Sequence, residues 1–575
     1  MLLAAVTLFC ASALLFLVQP MTGRQVLPWL GGTPAVWTTC MLFFQAVLVA
    51  GYAYADRAPR WFGTGHARVH LAVLAAPVVV WLLPWTPATA ADGGSAVWGL
   101  LWLLATNVGL PFFALATTSP LVQHWSAARV RNPFVLFAAS NAGSLCGLLA
   151  YPLVVEPMLS LAQQRVFWAW AYGAVAVAIA ACALRGRGNV AEPAAAGEPV
   201  AVRQKATWLL LAAVPSSLLL SVTTHVTTNL APVPLLWVVP LALYLVTFVV
   251  AFALPRRAVV PKPTSPLLRS TLPRWLPPFV RWTESPWPVA AIVPVALLPL
   301  AVLFHWERAA HGPLLLLLHL LTFLLVALAC HGRLAAERPA PGQLTGYYLW
   351  IAVGGALGGI GNGLVAPLVF TTLVEYPLLL AVACFLLPGP ARVRNDAWFG
   401  LAFAALAVVL LAVLPAGEQK RFAVLGPVAA LALFWADRPV RLGCAVAAVL
   451  GVGALLDERG VEVLHRDRSV FGAHRVERLR ADLTCLVHGN ILHGAQDQRP
   501  ERRREPLTYY HRAGPCGAVF AALAGRIPGG RVGAVGLGVG SIAAYGAAGE
   551  HWTFFEIDAA IERTARAHFT FLGDC

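Results

Sequence analysis

The chain has 575 residues, of which 59% are hydrophobic and only 12% are charged. Soluble globular proteins carry about 25% charged residues, so both a single soluble core and intrinsic disorder are excluded. The formal net charge of +15 is uneven, because residues 1–457 hold 26 lysines and arginines against 13 acidic residues, whereas residues 458–575 hold 15 against 13. The basic excess belongs to the apolar part, where it reports on membrane topology, and no nucleic-acid partner is expected.

Apolar stretches of about 20 residues, the length that crosses a ~30 Å hydrocarbon core, recur along residues 1–388. They predict twelve spans in the lipid bilayer, at residues 1–19, 34–54, 69–85, 97–117, 133–153, 163–184, 206–228, 234–254, 286–304, 312–330, 343–363 and 371–388. The first stretch has no basic region before it and no cleavage site, so it is predicted to be a span and not a signal peptide.

Three further apolar runs follow in residues 389–457, at 397–414, 422–436 and 442–456. The last two are short for a crossing, at about 22 Å each as helices, and Arg438 and Arg441 lie between them. We therefore expect only two more crossings, about 14 in all, in a polytopic α-helical membrane protein.

Loop charges predict the orientation. The loops after spans 2, 4, 6, 8, 10 and 12 hold 19 lysines and arginines, whereas the alternate loops hold three. Because positively charged loops stay in the cytoplasm, the N-terminus is predicted to be cytoplasmic in an inner (plasma) membrane. An even number of crossings then returns residues 458–575 to the cytoplasm, whereas fifteen crossings would place them outside.

A faint internal repeat indicates two halves. Two motifs recur six spans apart: Pro34–Trp37 with Pro234–Trp237, and Gly143, Leu145 and Gly147 with Gly355, Leu357 and Gly359. A parallel pair of six-helix halves, residues 1–184 and 206–388, is typical of major-facilitator-type transporters. The alternative is that small residues recur at helix contacts without a shared origin.

Polar residues inside the spans are candidates for a functional role: Asn107, Asn141, His225, Asn229 and Asn362. The densest run is 223–229, ahead of Pro232 and Pro234. Because unpaired polar groups are costly in lipid, this run is either a substrate-facing break in span 7 or a set of hydrogen bonds between helices. No acidic or basic residue lies in the middle of a span in residues 1–388, apart from Glu375 near the start of span 12, which disfavours a carboxylate proton relay. The ten cysteines form no CxxC pair, so neither disulfides nor a metal site is expected.

Residues 458–575 change character. Segments 461–465 and 472–476 are predicted to be strands of a β-rich lead-in. Arg531–Val535 is predicted to be a buried strand, followed by a glycine loop at 536–540, a helix from Ser541 and a second strand at 552–558. Glu556, at the end of that strand, is placed to bind ribose hydroxyls, as in a partial α/β Rossmann-like domain. A purely packing role for the glycines is the alternative.

This region resembles the spermidine synthase family of Rossmann-like, S-adenosylmethionine-dependent transferases, in His493–Gln496, in Glu505–His511 and in the glycine loop with Glu556. The whole chain, including Leu14–Pro20 and Pro34–Cys40, resembles bacterial fused major-facilitator-like and spermidine-synthase-like membrane proteins. The resemblance implies S-adenosylmethionine or its decarboxylated form as co-substrate, and no metal. It assigns the donor to Gln496, Gly536, Gly538, Gly540 and Glu556, and a small-molecule amine to Tyr510 and His511.

The sequence departs from that family at three points. Val539 replaces an aspartate of the glycine loop, Arg512 replaces a glutamate, and the strand with the catalytic aspartate would lie beyond Cys575. The catalytic residue is therefore not assigned. Because two strands cannot bury both faces of a parallel sheet, we expect either a fragment or a domain completed by a second polypeptide or by self-association.

Three functions follow as hypotheses. The first is a membrane-anchored transferase, with aminopropyl transfer in polyamine metabolism as its expected reaction. The second is a major-facilitator-like transporter or sensor with a non-catalytic, nucleotide-binding C-terminal region. The third is an inactive truncated product. Because S-adenosyl donors are made in the cytoplasm, the first hypothesis predicts a cytoplasmic C-terminal region.

Overall fold

The computed structural model describes residues 1–30, 34–81, 96–126, 130, 133–186, 200–230, 236–253, 288–304, 312–389, 395–413, 420–436, 438–457, 461–469, 471–523, 526 and 530–575. These residues form a helical bundle up to Asp457, which we call the bundle, and a smaller β-containing region from Val461, which we call the tail.

The helices of the first half of the bundle are α1 (Leu2–Leu30), α2 (Pro34–Phe62), α3 (His66–Trp81), α4 (Ala96–Leu104), α5 (Leu110–Ala116), α6 (Thr118–Ser126), α7 (Phe134–Ala150), α8 (Glu156–Met158) and α9 (Leu161–Gly186). Those of the second half are α10 (Val202–His225), α11 (Val238–Ala253), α12 (Pro288–Leu303), α13 (Gly312–Ala336), α14 (Leu344–Ile360), α15 (Ala366–Val369) and α16 (Glu375–Cys384). Three late helices follow: α17 (Asp396–Val413), α18 (Lys420–Leu433) and α19 (Pro439–Asp457).

The bundle has the length and composition of a membrane protein. Within the described ranges, eight helical stretches are long and apolar enough to cross a membrane, and six shorter apolar helices accompany them. The prediction of a helical membrane part is therefore confirmed.

Glycines allow two helix pairs to approach closely, one in each half. A Cβ atom on Gly143 or Gly147 of α7 would collide with the backbone of α1 at Phe9 or Ala13. On α14, a Cβ atom at Gly358 would lie 2.5 Å from the Ala213 oxygen of α10, and Gly354 meets the Leu209 oxygen in the same way. Small residues permit such contacts where membrane helices pack by van der Waals forces alone.

The predicted glycine repeat is wrong by one residue in the second half. A Cβ atom on Gly355 would meet open space, and one on Gly359 would meet Gln45 of α2, so neither glycine lies against α10. Side chains one residue apart point about 100° apart around a helix, which is why the shift changes the contacting face. The counterparts of Gly143 and Gly147 are therefore Gly354 and Gly358.

Contacts between the halves repeat as well. Helix α2 of the first half packs against α14 of the second, and α7 of the first half packs against α11 of the second. Because α2 corresponds to α11 and α7 corresponds to α14, these two contacts are the same contact with the halves exchanged. Both α7 and α14 continue into a π-helical segment, Tyr151–Val155 or Gly361–Val365, and then a short helix. Each of those short helices ends at an extended residue, Leu159 or Phe370. In the other repeated motif, Pro234 and Leu235 lie outside the described residues.

Hydrogen bonds identify which elements share an end of the bundle. At the end where α1 begins, Thr7 contacts Cys182, Tyr348 donates to Gln123 (2.7 Å) and Thr345 donates to Asp56 (2.8 Å). We call this the Met1 end. The guanidinium of Arg333 donates to the Leu386 oxygen (2.8 Å), so α13 and α16 also finish there. The other end, where α10 and α15 finish, carries the tail, and we call it the tail end.

The late helices carry the chain from the Met1 end to the tail end. Gly443 of α19 lies against the ring of Phe385, and Arg441 Nε donates to Asp396 Oδ1 at the start of α17 (2.8 Å). Helices α17 and α19 therefore both begin at the Met1 end, and α18 returns between them. Met1 and the tail therefore lie at opposite ends of the bundle, whereas the sequence predicts an even number of crossings; Arg441 lies in the first turn of α19, and Arg438 precedes that helix. Helix α19 has 19 residues, about 28 Å.

The tail holds two separate sheets. Strands β1 (Glu462–Ser469), β2 (Gly472–Arg480), β3 (Leu483–His488) and β4 (Ile491–Asp497) form an antiparallel sheet in chain order, which confirms the predicted lead-in strands. Strands β5 (Arg531–Val535) and β6 (His551–Phe555) pair in parallel. The tail helices are α20 (Pro515–Leu523), α21 (Ala559–His568) and α22 (Phe571–Asp574).

The parallel sheet departs from the predicted strand–loop–helix unit. Residues Ser541–Tyr545 form a short 3-10 helix, not the start of an α-helix. Val535 is 93% exposed and Phe555 is 62% exposed, so one face of the sheet is open. The two described parallel strands place a glycine loop as expected, but the described part of the tail does not contain a complete Rossmann sheet.

Candidate functional site

The glycine loop of the tail has the backbone that its sequence predicts. Gly536, Gly538 and Gly540 have φ values of 87°, 57° and 84°, a region that residues with a Cβ atom rarely adopt. The Glu556 carboxylate accepts hydrogen bonds from the amides of Leu537 (2.8 Å) and Asp558 (2.9 Å). Glu556 therefore fixes the loop from inside and still has lone pairs for a ligand.

Strand β4 lies over this loop. A Cβ atom on Gly538 would be 3.2 Å from the His493 oxygen, and the Tyr509 hydroxyl donates to that same oxygen (3.0 Å). Burial lowers the pKa of His493, and the nearby Glu556 carboxylate opposes this shift. The sequence motifs contained His493 and Tyr509 but did not single them out, because periodicity gives no sign that β4 crosses the loop.

Gln496 has a structural role. Its side chain is fully buried, its Nε2 donates to the Arg503 oxygen and to Thr570 Oγ1 (both 2.8 Å), and its Oε1 accepts from the Thr570 amide (2.9 Å). Both ends of the amide are therefore used within the tail. A nucleoside contact by Gln496 does not fit this geometry.

The segment with Tyr510 and His511 crosses the 3-10 helix. The Tyr510 oxygen accepts from the Tyr545 hydroxyl (2.6 Å), and burial raises the pKa of Tyr510 to about 12, which keeps its phenol protonated. His511 is exposed, and its Nδ1 accepts from the Ala513 amide (3.1 Å). Thr508 has a φ of 60°, and its buried hydroxyl has no partner among the described residues. Strain of this kind collects at functional positions.

The residues fit an S-adenosyl donor only in part. The three glycines and Glu556 have the required backbone and carboxylate, whereas Gln496 is turned into the tail and Val539 is a buried core residue beside Val476 and Phe569. A cationic donor tail would find no carboxylate at position 539. We therefore derive no reaction step through this group.

A second polar site lies in the bundle beneath the tail. The His319 Nδ1 and the Tyr376 hydroxyl are 2.8 Å apart, and the rings of His225 and His319 are 4.9 Å apart. His319 is fully buried, and its Nε2 has no partner among the described residues. The His225 Nδ1 lies 3.1 Å from the Asn229 amide. Sequence analysis missed His319 and Tyr376, for which the only signal is a lone histidine in a leucine run.

The tail docks directly over this histidine site. Arg468 of β1 forms a bidentate pair with Glu375 (2.7 and 3.0 Å) and also donates to the Thr372 oxygen (2.6 Å). Its side chain is 5% exposed, and that of Glu375 is 7% exposed. Asn490 donates to the Asn229 oxygen (3.1 Å). The tail thus binds the residue next to Tyr376 and the residue bonded to His225.

The other polar residues inside the spans stabilise helices. Asn107 and Asn141 each donate to the oxygen four residues earlier in their own helices. Asn362 donates to the Ser217 oxygen of α10 (3.0 Å). Most of these residues therefore stabilise helices, as one of the two interpretations predicts. The run at 223–229 ends in the π-helical segment Val226–Leu230, which contacts the tail.

A scan against models of known protein families gives no match for this chain, and a search among curated proteins gives none either. The described residues include no group of three or more histidine, cysteine or acidic side chains that could hold a metal ion.

Proposed function

We propose that the protein is a major-facilitator-like carrier whose tail covers one end of the bundle. The observation that supports this most strongly is the repeated packing: α1 with α7 and α10 with α14 within the halves, and α2 with α14 and α7 with α11 between them. Two similar halves around a central contact are the arrangement that exposes a site to either side by rocking.

The orientation follows from loop charge. Arg60, Arg185 and Arg333 belong to the basic loops or helix ends that share the Met1 end with Asp56, Cys182 and Leu386. The positive-inside rule then places the Met1 end in the cytoplasm and the tail outside. An external tail would lack access to cytoplasmic S-adenosyl donors, which is why the carrier is preferred over the transferase.

The described conformation is closed at the Met1 end. Two hydrogen bonds join the halves there, from Tyr348 to Gln123 and from Thr345 to Asp56. A third contact places the Arg338 guanidinium 4.5 Å from the ring centre of Phe134. A carrier closed on this side presents its site toward the tail, so movement of the tail would control access.

Distance measurements between spin labels test the carrier. One label pair would replace Arg60 and Gly342 at the Met1 end, and another would replace the exposed residues Met158 and Leu368 on α8 and α15 at the tail end. Rocking predicts two populations in lipid nanodiscs, in which one distance lengthens as the other shortens. If each label pair shows one distance that does not change with pH, salt or added solute, the result would contradict a carrier.

A second candidate function is the transferase, in either of its predicted forms. It is supported by the glycine loop and by the Glu556 carboxylate bonded to it. Calorimetry on the full chain, with S-adenosylmethionine and its decarboxylated form as probes, is the test. Replacing Glu556 by alanine should weaken binding about tenfold or more, since a charge-assisted bond contributes about 1.5–3 kcal/mol. Glu550→Ala, which removes a nearby carboxylate bonded to Trp552, is the control. The absence of binding by the wild-type chain would exclude a donor site.

A further inference from the structure

Two buried histidines lie near the Met1 end, one in each half of the bundle. His70 is in the second turn of α3, which begins at that end, and His331 is in the last two turns of α13, which finishes there. Both side chains are fully buried. One ring nitrogen of each, Nδ1 of His70 and Nε2 of His331, has no hydrogen-bond partner among the described residues. Buried polar atoms are normally paired, so these two nitrogens require an explanation.

The hydrogen on the His331 ring can be placed from its neighbours. The Thr247 hydroxyl donates to the Tyr244 oxygen (2.6 Å) and lies 2.8 Å from His331 Nδ1. Because a hydroxyl has one proton, Thr247 accepts from His331, and Nδ1 is the nitrogen that bears the hydrogen. Nε2 of the neutral ring is then a bare acceptor, in a ring that is stacked on Phe248 with 3.7 Å between the ring centres.

His70 has the same arrangement with the two nitrogens exchanged. The Thr117 hydroxyl, between α5 and α6, donates to the Ala114 oxygen (2.7 Å) and has a longer contact of 3.5 Å with His70 Nε2. Thr117 therefore accepts from Nε2, and Nδ1 is the bare acceptor. Each half thus holds one neutral imidazole with an unused basic nitrogen, which is a site where a proton can bind.

The groups around His70 include no carboxylate that faces its ring. The titratable groups here are His66 on α3, His124 on α6, Tyr54 on α2 and Tyr172 on α9. Asp56 of α2 faces α14 instead, where Thr345 donates to it. A charge on His70 would therefore have no counter-charge among the described residues that face it.

The groups around His331 are similar. The titratable and charged groups of the helices packed here are Tyr244 of α11, Tyr347 of α14, Lys205 of α10, and Cys330, Arg333 and Glu337 of α13 itself. The Glu337 carboxylate pairs with Arg333, and the described part of α12 contains no titratable side chain. A charge on His331 would not be balanced by these groups either.

A second proton on either ring therefore suits a different conformation. In the closed one it would add a charge, and an N–H donor that has no acceptor among the described residues, and both are costly away from water. Opening the Met1 end would let water reach both rings, because each lies within two turns of that end. Protons should then bind the open state and not the closed state, and a ligand of that kind shifts the population toward the state it binds.

Both histidines lie close to the hydrogen bond that closes this end. His331 is stacked on Phe248, which packs against Phe137. Phe137 is in turn stacked on Tyr348, with 4.6 Å between the ring centres. In the first half, the ring of His70 lies 5.8 Å from that of Trp125, two residues after the Gln123 that accepts from Tyr348.

We propose that His70 and His331 are proton-binding sites that regulate the carrier from the cytoplasmic side. When the Met1 end opens, each bare ring nitrogen takes a proton from water, forming an N–H bond and a positive charge. When the end closes, the proton returns to water on the same side, so no proton crosses the membrane. The proposal rests on the carrier function, and it predicts that acid favours the state open at the Met1 end.

The test uses the spin-label pair at Arg60 and Gly342 on the full chain in nanodiscs of zwitterionic lipid, between pH 8 and pH 5.5. At pH 5.5, about one unit below the ordinary histidine pKa of about 6.5, each histidine should favour the open state about tenfold. A rise in the open population as the pH falls is the expected result. No change, or a rise in the closed population, would overturn the proposal without any variant.

Two substitutions remove the bare nitrogen and keep the hydrogen bond to the threonine. In His331→Asn the amide nitrogen takes the place of Nδ1, and in His70→Gln it takes the place of Nε2. Each should lower the pH response about tenfold, and the double variant should abolish it. His66→Asn is the control, because both ring nitrogens of His66 are already bonded, to the Gly63 oxygen (2.6 Å) and to Trp125 Nε1 (2.8 Å). It should leave the pH response unchanged.

The outcomes separate this proposal from the carrier itself. Populations that shift with added solute but not with pH, or a pH response that is equal in the wild-type chain and the double variant, would reject the proton sites and retain the carrier. Distances that do not change under any condition would reject both.

Discussion

The two ends of the bundle are closed in different ways. At the Met1 end, side chains of the two halves bond to each other directly, as Tyr348 does with Gln123 and Thr345 with Asp56. At the tail end, the bundle residues Glu375 and Asn229 bond to the tail instead. The tail therefore occupies the position where contacts between the halves would otherwise close the bundle.

This difference is what the proposed carrier requires, in which the tail takes part in the working of the bundle. A tail that served only as an attached enzyme would need a linker and no buried charge pair. Instead, Arg468 and Glu375 are both almost fully buried, at a place that adjoins the histidine site. Buried ion pairs have a high desolvation cost and require good geometry, which suits a contact that must be specific for one arrangement.

The largest effect is expected from a substitution that disrupts the contact between the tail and the bundle. Arg468→Met would leave the Glu375 carboxylate buried without its partner, which costs about 3–5 kcal/mol. The tail should separate from the bundle, and its amides in β1 and β2 should exchange hydrogen faster. Arg566→Met removes an exposed pair with Glu562 and is the control. Equal exchange in the two variants would mean that Arg468 does not hold the tail.

A second prediction tests whether the two halves pack in the same way. Gly354→Ala would push a methyl group into the backbone of α10 and should destabilise the bundle by about 1–3 kcal/mol. Gly355→Ala, one residue away, has open space and should be neutral or slightly stabilising. Thermal unfolding in nanodiscs measures both. A larger destabilisation by Gly355→Ala than by Gly354→Ala would instead support the repeat that the sequence predicts, in which Gly355 corresponds to Gly143.

A smaller effect is expected at the Met1 end. Tyr348→Phe removes the hydrogen bond to Gln123 between the halves, which contributes about 1 kcal/mol in the closed state. About a fivefold shift toward the state open at the Met1 end should follow. The spin-label pair at Arg60 and Gly342 measures this population. Tyr347→Phe, which removes a bond to Leu334 within the second half, should leave it unchanged.

The smallest effect concerns pH and the tail alone. Burial holds the pKa of His474 below its usual value, so the unfolded state binds a proton more readily than the folded state. Stability is therefore unaffected well above the ordinary histidine pKa of about 6.5 and falls as the pH drops below it. The protection of the β2 amides, taken relative to their intrinsic exchange rates at each pH, should fall between pH 7 and pH 5 in the wild-type chain and fall less in His474→Gln. An equal fall in both would show that His474 does not contribute.

The sequence predicted individual helices and strands of the fold but not the contacts between elements that are distant in the chain. Hydropathy located the bundle helices, alternation located β1 and β2, and the position just before the glycine loop located β5, because these signals depend on short segments. The sequence did not show that Arg441 pairs with Asp396 and begins α19, since that pair joins residues 45 positions apart. This contact places the start of α19 at the Met1 end and so the tail at the opposite end of the bundle.

In the candidate sites, too, the local backbone could be predicted from the sequence, whereas contacts between distant residues could not. The positive φ values at Gly536, Gly538 and Gly540 followed from the motif, because glycine permits that backbone. The inward turn of Gln496 depends on Thr570, and the docking of Arg468 depends on Glu375; neither partner lies near in sequence. Resemblance placed a ligand at Gln496, whereas the geometry uses that residue to hold the tail together.

The central claim is that Met1 and the tail lie on opposite faces of the membrane. Single cysteines at Arg60, at the Met1 end, and at Glu501, in the tail, are both exposed positions for an impermeant maleimide in an otherwise cysteine-free chain. In intact cells the Glu501→Cys variant should be labelled, and the Arg60→Cys variant should be labelled only after the membrane is permeabilised. Labelling of both in intact cells, or of neither before permeabilisation, would place them on one face and contradict the account.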